Sequence, residues 1–329
     1  MTLTDYGRSS GFCLDPIESM PLLHYRPGAR VLAFGTVGCN LACRYCQNWD
    51  IARAGSEGRL LDDASPEAIA VAARRLGCAA VALSFNDPVM WAEMAIDTSA
   101  AAHAAGLDVV AKTAGYISDE ARPELFDVLD AVSVDLKGIT EDFYRRVCGG
   151  RLGPVLDTLR YVARETSAWL EVVTLLVPGE NDGHRELEAL CAWVAEELGP
   201  DVPLHLNACG PEYKMSQAVP SAETLIRARR IAAESGLNYV YSGELGGAPA
   251  LDTRCPGCGE TVIRRRGFEV LDRQLQQGTC PSCRTPVPGR LDEVTAPSIT
   301  RRYGVRLNAT ATTAPAERTP QDRPLTAAR

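Results

Sequence analysis

The stretch Val31-Leu32-Ala33-Phe34-Gly35-Thr36-Val37-Gly38-Cys39-Asn40-Leu41-Ala42-Cys43-Arg44-Tyr45-Cys46 runs from an apolar segment of strand character into three cysteines spaced C-x3-C-x2-C. The first six residues read as a buried strand and the rest as the loop that follows it, so three thiols converge from one short turn. With 12 cysteines in 329 residues, a triad so spaced is expected by chance only about 0.016 times, and its spacing is read as chemistry. Cysteine thiolates hold iron–sulfur clusters, and three ligands on a four-iron cubane leave one iron without a protein ligand. An open metal position is what a catalytic centre needs and a structural one avoids.

Outward from this loop, Val31 to about Ser242 alternates short apolar or β-branched runs with longer stretches of helical period, the pattern of repeated βα units on a parallel sheet. Candidate strands are Val31 to Thr36, Ala79 to Ser84, Asp108 to Thr113, Ala131 to Asp135, Leu170 to Leu175 and Pro203 to Asn207. Asn86 or Asp87 can cap the helix after the second strand, Pro88 fits its first turn and Gly106 follows its end; Ser221 caps a later helix. Six units are too few for a closed eight-fold barrel, so the sheet is an open partial barrel or a doubly wound sheet. Either way the site belongs at the C-terminal strand ends.

Composition bounds the rest. The chain is 46% hydrophobic, long enough for one large domain and a small appendage. MTLTDYGRSS has neither a basic n-region nor an apolar h-region, and no charge-free apolar run approaches the ~18 residues of a membrane span, so a cytoplasmic location is expected. A formal net charge of −8 argues against broad nucleic-acid binding. The expected organisation is a leader over 1–30 packing on the barrel, a core over 31–247, a Cys-bounded module over 253–290, and a Thr/Ala/Pro-rich tail over 308–329 with too few large apolar residues to order itself.

In that module Cys255-x2-Cys258 and Cys280-x2-Cys283 are separated by 21 residues, with strand-like stretches at Thr261 to Ile263 and Phe268 to Leu271. Paired knuckles at this separation read as a structural zinc ribbon, although four thiolates could also ligate an auxiliary iron–sulfur cluster. Seven Arg against Glu260, Glu269 and Asp272 make the module locally basic, for docking to an acidic partner or to the barrel. Cys13, Cys78, Cys148 and Cys191 have no partner at metal spacing and read as core thiols.

The run GTVGCNLACRYCQN resembles the cluster loop of radical S-adenosylmethionine (SAM) enzymes, with Tyr45 in the aromatic position. The segments LDPIESMPLLHYRPGARVL, before it, and SFNDP, KTAGYI, VDLKG, VPGEND and HLNACGPEYKM, after it, stand in order along the chain, and each resembles the AmmeMemoRadiSam-type branch, relatives of pyruvate formate-lyase activating enzymes. The resemblance implies a partial (β/α)6 TIM-like barrel with a [4Fe-4S] cluster on Cys39, Cys43 and Cys46, whose unique iron binds the SAM amino and carboxylate groups. It implies reductive cleavage to methionine and a 5′-deoxyadenosyl radical, fed by a one-electron donor such as flavodoxin or ferredoxin.

The same resemblance carries SAM contacts onto Tyr45, Ser84, Asn86, Asp87, Thr113, Gly115, Asp135 and Lys137. Asp87 stands where relatives usually have Glu, and Ala114 where they read TNG. His205, Asn207, Cys209, Tyr213 and Lys214 are candidates to face the substrate, a small molecule or a protein, although a lone strand histidine is also what a satisfied core residue looks like. Asn-Ala-Cys-Gly replaces an aromatic or basic run of relatives, which points to a small or modified substrate. Glycyl-radical activation is the alternative within the class, and a non-catalytic metal-binding adaptor the alternative outside it.

Overall fold

The computed structural model describes residues 5–55, 62–63, 65–243, 250–291 and 298–307; the expected disordered tail over 308–329 lies outside the described residues. The central sheet has nine strands, in the spatial order β8-β7-β6-β5-β4-β3-β2-β1-β12. They are β1 (Gly11–Pro16), β2 (Arg30–Gly35), β3 (Ala80–Leu83), β4 (Asp108–Thr113), β5 (Ala131–Asp135), β6 (Trp169–Leu176), β7 (Leu204–Ala208), β8 (Val240–Tyr241) and β12 (Tyr303–Val305). Strands β2 to β8 are parallel and stand in chain order. A doubly wound sheet reverses its order at a switch point, whereas right-handed crossovers between successive neighbours put every helix on one face and curl the sheet. The fold is therefore an open partial barrel, with β8 at one edge and β12 at the other.

The six expected strands are present to within a residue at most ends, and β8 adds a seventh parallel strand. The leader segment contributes β1, antiparallel to β2 and itself paired with β12 through Phe12↔Val305 and Leu14↔Tyr303. Arg302 clamps this edge, its guanidinium meeting buried Asp15 at 2.8–3.0 Å.

The alternation along the strands decides which face meets what. Leu32, Phe34, Val81, Leu83, Val109, Val132 and Val134 share one buried cluster with the helices, while the smaller Ala33, Ala80, Ala82 and Ala131 belong to another on the opposite face. Burying a side chain such as Phe34 under the helix layer contributes about 1.5–3 kcal/mol. The covering helices are α1 (Pro66–Arg75), α2 (Ala92–Ala104), α3 (Arg122–Phe126), α4 (Gly153–Glu165), α5 (His184–Glu197) and α6 (Ala222–Glu234). Each long one shows a single apolar stripe, as in Val155, Leu159 and Val162 of α4. Small side chains on the inner face leave the barrel mouth room for polar groups.

The C-terminal module is a three-stranded antiparallel sheet, β9 (Thr253–Arg254), β10 (Thr261–Arg266) and β11 (Glu269–Arg273). It packs beneath β8, sharing one apolar cluster with the barrel that contains Leu23, Tyr239, Tyr241, Val262, Ile263, Cys255 and Cys280. Among the described residues no helix is long and apolar enough to cross a membrane.

Candidate functional site

The cysteine loop leaves β2 at the C-terminal end of the sheet and is held by backbone bonds to a π-helical turn, Tyr144–Cys148: Ala42 N–H donates to Cys148 O at 2.6 Å and Arg44 N–H to Val147 O at 2.9 Å. Single π turns inside helical segments are a frequent mark of functional sites. Gly149 and Gly150 follow it because a Cβ there would stand 2.7 Å from Ala42 and 2.4 Å from Leu41. On the other side Asn86 commits its whole amide to bracing the loop. Its Oδ1 accepts from Thr36 N–H and Trp91 Nε1–H, and its Nδ2 donates to Thr36 Oγ1 and Gly38 O. Asn86 is thus a brace for the loop, with no valence left for a ligand.

Asp87 is likewise engaged within the protein. Its carboxylate accepts from Val89 N–H, Thr113 Oγ1–H and Ala114 N–H, at 2.8–3.2 Å, capping the turn after β3 and tying it to the end of β4. Of its roughly four lone-pair positions one remains. Burial raises its pKa. Thr113 in turn accepts from Gly115 N–H at 3.0 Å, and Gly115, at φ +63°, packs against Val134 and Thr158. Ser84 is buried at the end of β3, and Tyr45 packs its ring against Phe143.

The polar mouth centres on Asp135 at the end of β5. Its Oδ2 receives Lys137 Nζ at 3.0 Å and its Oδ1 receives Lys112 Nζ, from β4, at 3.2 Å. Burial pushes the Asp135 pKa up, but the two ammonium groups outweigh it and hold the carboxyl below its usual range. Burial alone would lower the Lys137 pKa; Asp135, Cys43, Tyr45 and Cys148 carry it well above the ordinary lysine value. That cation therefore lies against the cysteine loop. Asn181 fixes the approach, donating to Lys137 O at 2.8 Å and to Leu175 O at 2.9 Å. Lys112 was not singled out from the sequence, and Asn181 only as a member of the VPGEND turn; a lysine inside an otherwise apolar strand was the available signal for the first.

The β7 candidates separate. Asn207 is near the mouth end and accepts from Gly243 N–H at 2.9 Å. Cys209 is buried in the core and burial raises it to about 11. Tyr213 stacks on Trp49 at 5.4 Å and 12°, Lys214 Nζ lies 4.9 Å from the Tyr213 ring centroid, and Lys214 N–H donates to Arg44 O at 2.9 Å, so this segment folds onto the cysteine loop. Trp49, 44% exposed, is a further mouth residue that the sequence reading passed over.

His205 is the exception and corrects the expectation of a substrate-facing histidine. It is the second residue of β7, low in the barrel, where its Nε2 donates to Glu171 Oε2 at 2.7 Å and its ring stacks on Tyr241. Both side chains are buried. Its distance from the strand's C-terminal end, together with a satisfied carboxylate partner, removes it from the mouth.

That pair belongs to a buried network at the barrel floor. His24 Nδ1 meets Pro288 O at 2.7 Å, and its Nε2 meets Tyr241 Oη at 2.5 Å. A carbonyl only accepts, so Nδ1 carries the proton and Nε2 accepts from Tyr241; Thr253 Oγ1 lies 2.9 Å beyond, bonded in turn by Arg265. Arg265, on β10 of the ribbon, also donates to Leu23 O and Leu251 O, and its Nε lies 3.9 Å from Glu18 Oε1, with both side chains fully buried. Arg290 reaches Asp108 at 3.3 Å. Two of the module's arginines are thereby accounted for by docking to the barrel.

A radical SAM superfamily profile matches residues 34–191. An uncharacterized protein of Methanocaldococcus jannaschii is 36% identical over 281 residues, covering 84% of this chain and 83% of that protein. The chain belongs to the radical SAM superfamily. The pyruvate formate-lyase 1-activating enzyme of Escherichia coli K12 is 26% identical over 233 residues, 65% of this chain and 93% of the enzyme. A radical SAM methyltransferase from Sphaerobacter thermophilus superposes with a TM-score of 0.53 at 17% identity, over 67% of this chain and 68% of that one, and shares the fold.

Radical SAM membership implies a [4Fe-4S] cluster and SAM, and the donors present fit such a group. Burial, with Asp87 nearby, pushes the Cys39 thiol up to about 12, and burial also raises Cys46. The Cys148 thiol, hydrogen-bonded to Cys43, brings that one down to about 7 against burial. Two thiols that resist ionisation become thiolates only beside a cation such as iron. Cys148, read from sequence as a core thiol, is thus in the wall of this site. The four ribbon thiols behave differently: Cys255, Cys258, Cys280 and Cys283 lie within 4.8 Å of one another, close enough to ligate a shared metal centre.

Proposed function

We propose that this radical SAM protein is an enzyme that holds the cluster on Cys39, Cys43 and Cys46, takes one electron from a small redox protein, and acts on a substrate admitted at the barrel mouth. When bound, the cluster would supply the electron that splits SAM into methionine and a 5′-deoxyadenosyl radical. The observation that carries this reading is three half-buried or buried thiols on one loop beside the Lys112–Asp135–Lys137 group. Those side chains offer two ammonium groups and one carboxylate, a net cation suited to a carboxylate-bearing ligand. The Trp49–Tyr213 stack sets two aromatic rings beside the cysteine loop, and Asn-Ala-Cys-Gly follows β7 in place of an aromatic or basic run, which favours a small or modified substrate; similarity to the Escherichia coli activating enzyme favours the alternative, a glycyl-radical protein loop. The four-cysteine module is proposed to hold structural zinc.

Anaerobic reconstitution followed by dithionite and SAM tests the reading. 5′-Deoxyadenosine should form, and Cys39→Ala, Cys43→Ala or Cys46→Ala should each abolish it while far-UV circular dichroism is kept. Retained turnover in any variant overturns the assignment, and no SAM cleavage by the parent leaves a metal-binding adaptor. Metal analysis should find near one zinc per chain, lost in Cys255→Ser/Cys258→Ser without loss of the triad's iron; about eight irons and no zinc would make the module a second cluster.

A further inference from the structure

At the seam of barrel and ribbon, far below the mouth, lies a cavity of about 280 Å³ bounded by α6, β8 and β9. Arg229 and Arg230 line it from α6 and Arg254 from β9, with Asn238, Tyr239, Tyr241 and Asp252 as the other polar side chains of the wall. We propose that this cavity is an oxyanion site, taking a phosphate or pyrophosphate group that bridges barrel and ribbon.

Three guanidinium groups face one carboxylate there. Asp252 Oδ1 is already engaged, accepting Arg265 N–H at 2.7 Å, and Arg230 is paired with Glu234 at 3.8 Å on the surface. Among the described residues Arg254 donates only to Gly259 O, at 3.3 Å. Arg229 has neither a hydrogen bond nor an ion pair among the described residues, while burial and the facing Arg254 hold its pKa below the arginine value. The Tyr239 hydroxyl, also at this wall, is buried without a partner. A buried hydroxyl without an acceptor, as at Tyr239, costs free energy, and guanidinium groups that face one another repel; an oxyanion relieves both, with Arg supplying a fork that matches it. Compensation of the helix dipole does not explain Arg229, because that effect is confined to the last turn and α6 has no basic residue in its last turn.

One competing role is specific. Four thiolates on Zn²⁺ carry a net charge of about −2, and Arg254 adjoins Cys255, so the arginines could serve that centre instead. Titrating the metal-loaded full chain with inorganic pyrophosphate, by calorimetry at fixed ionic strength, separates the two. One saturable site per chain is expected, with a rise in melting temperature, since the anion binds only the docked form. Arg229→Gln should weaken binding about tenfold or more, Arg229→Lys less so, and Arg185→Gln on exposed α5 not at all. Ribbon zinc should be unchanged in all three. The proposal is overturned by absence of saturable binding to the parent chain, by equal affinity in Arg229→Gln, or by loss of zinc in Arg229→Gln with affinity retained.

Discussion

Asp87 gathers three donors onto one carboxylate, so its replacement tests the end of β3 directly. An asparagine keeps one acceptor oxygen but turns an amide N–H₂ toward donors, and Asp87→Asn should cost about 1–3 kcal/mol in urea unfolding. An unchanged midpoint would show that the network relaxes without penalty. His24 answers to pH. Burial lowers its pKa to about 4 in the folded protein, from an ordinary value of 6.5, so the unfolded chain takes up the proton first. Its contribution is therefore fully present above pH 6.5 and is lost as pH falls toward 4, by about 3 kcal/mol at most. Glu18, raised by burial to about 7, works with the opposite sign, losing stability as pH rises from about 4.5 to 7. Comparing the parent with His24→Gln isolates the histidine: the variant should lose the steepening below pH 6.5, and parallel curves would refute the assignment. The cysteine triad and Asp87 were legible because spacing and capping are local in sequence. His24, Lys112 and Arg265 were not, because their meaning comes from partners that lie 12 to 264 residues away.

At the scale of elements, the cysteine loop rests on the π turn, and its seat is defined by Gly149. That residue is left-handed at φ +71°, and a Cβ would stand 2.7 Å from Ala42. Gly149→Ala adds about 1–2 kcal/mol of backbone strain and displaces the loop that holds the thiols. Iron retained after reconstitution should fall while the far-UV spectrum stays the same; full iron loading would show that the loop tolerates the shift. The parallel strands could be read ahead because each carries a short apolar run and is followed by a capped helix. The edge was harder. Two-residue β8 has no periodic signal, and β12 finds β1 only after nearly the whole chain has folded between them. Reading His205 as a mouth residue failed for a related reason, since the carboxylate that satisfies it, Glu171, lies 34 residues away on the neighbouring strand.

For the whole molecule, the decisive contact is the fully buried Arg265–Glu18 pair that joins ribbon to barrel. Arg265→Met removes the cation facing Glu18 and the donor to Leu23 O, and should cost about 3–5 kcal/mol, while Arg265→Met/Glu18→Gln should recover part of that loss; a double variant no better than the single would deny the coupling. Two of the four ribbon cysteines, Cys255 and Cys280, lie in the same apolar cluster as Leu23 of the barrel, so chelating the metal proposed for the ribbon should lower the melting temperature of one shared transition. Two separate transitions would mean that the ribbon merely leans on the barrel. The bond from Arg265 to Leu23 spans 242 residues, and the one from His24 to Pro288 spans 264. The barrel floor therefore closes only when segments 242 and 264 residues apart have met, which makes it the part of the barrel that rests on the longest-range pairing.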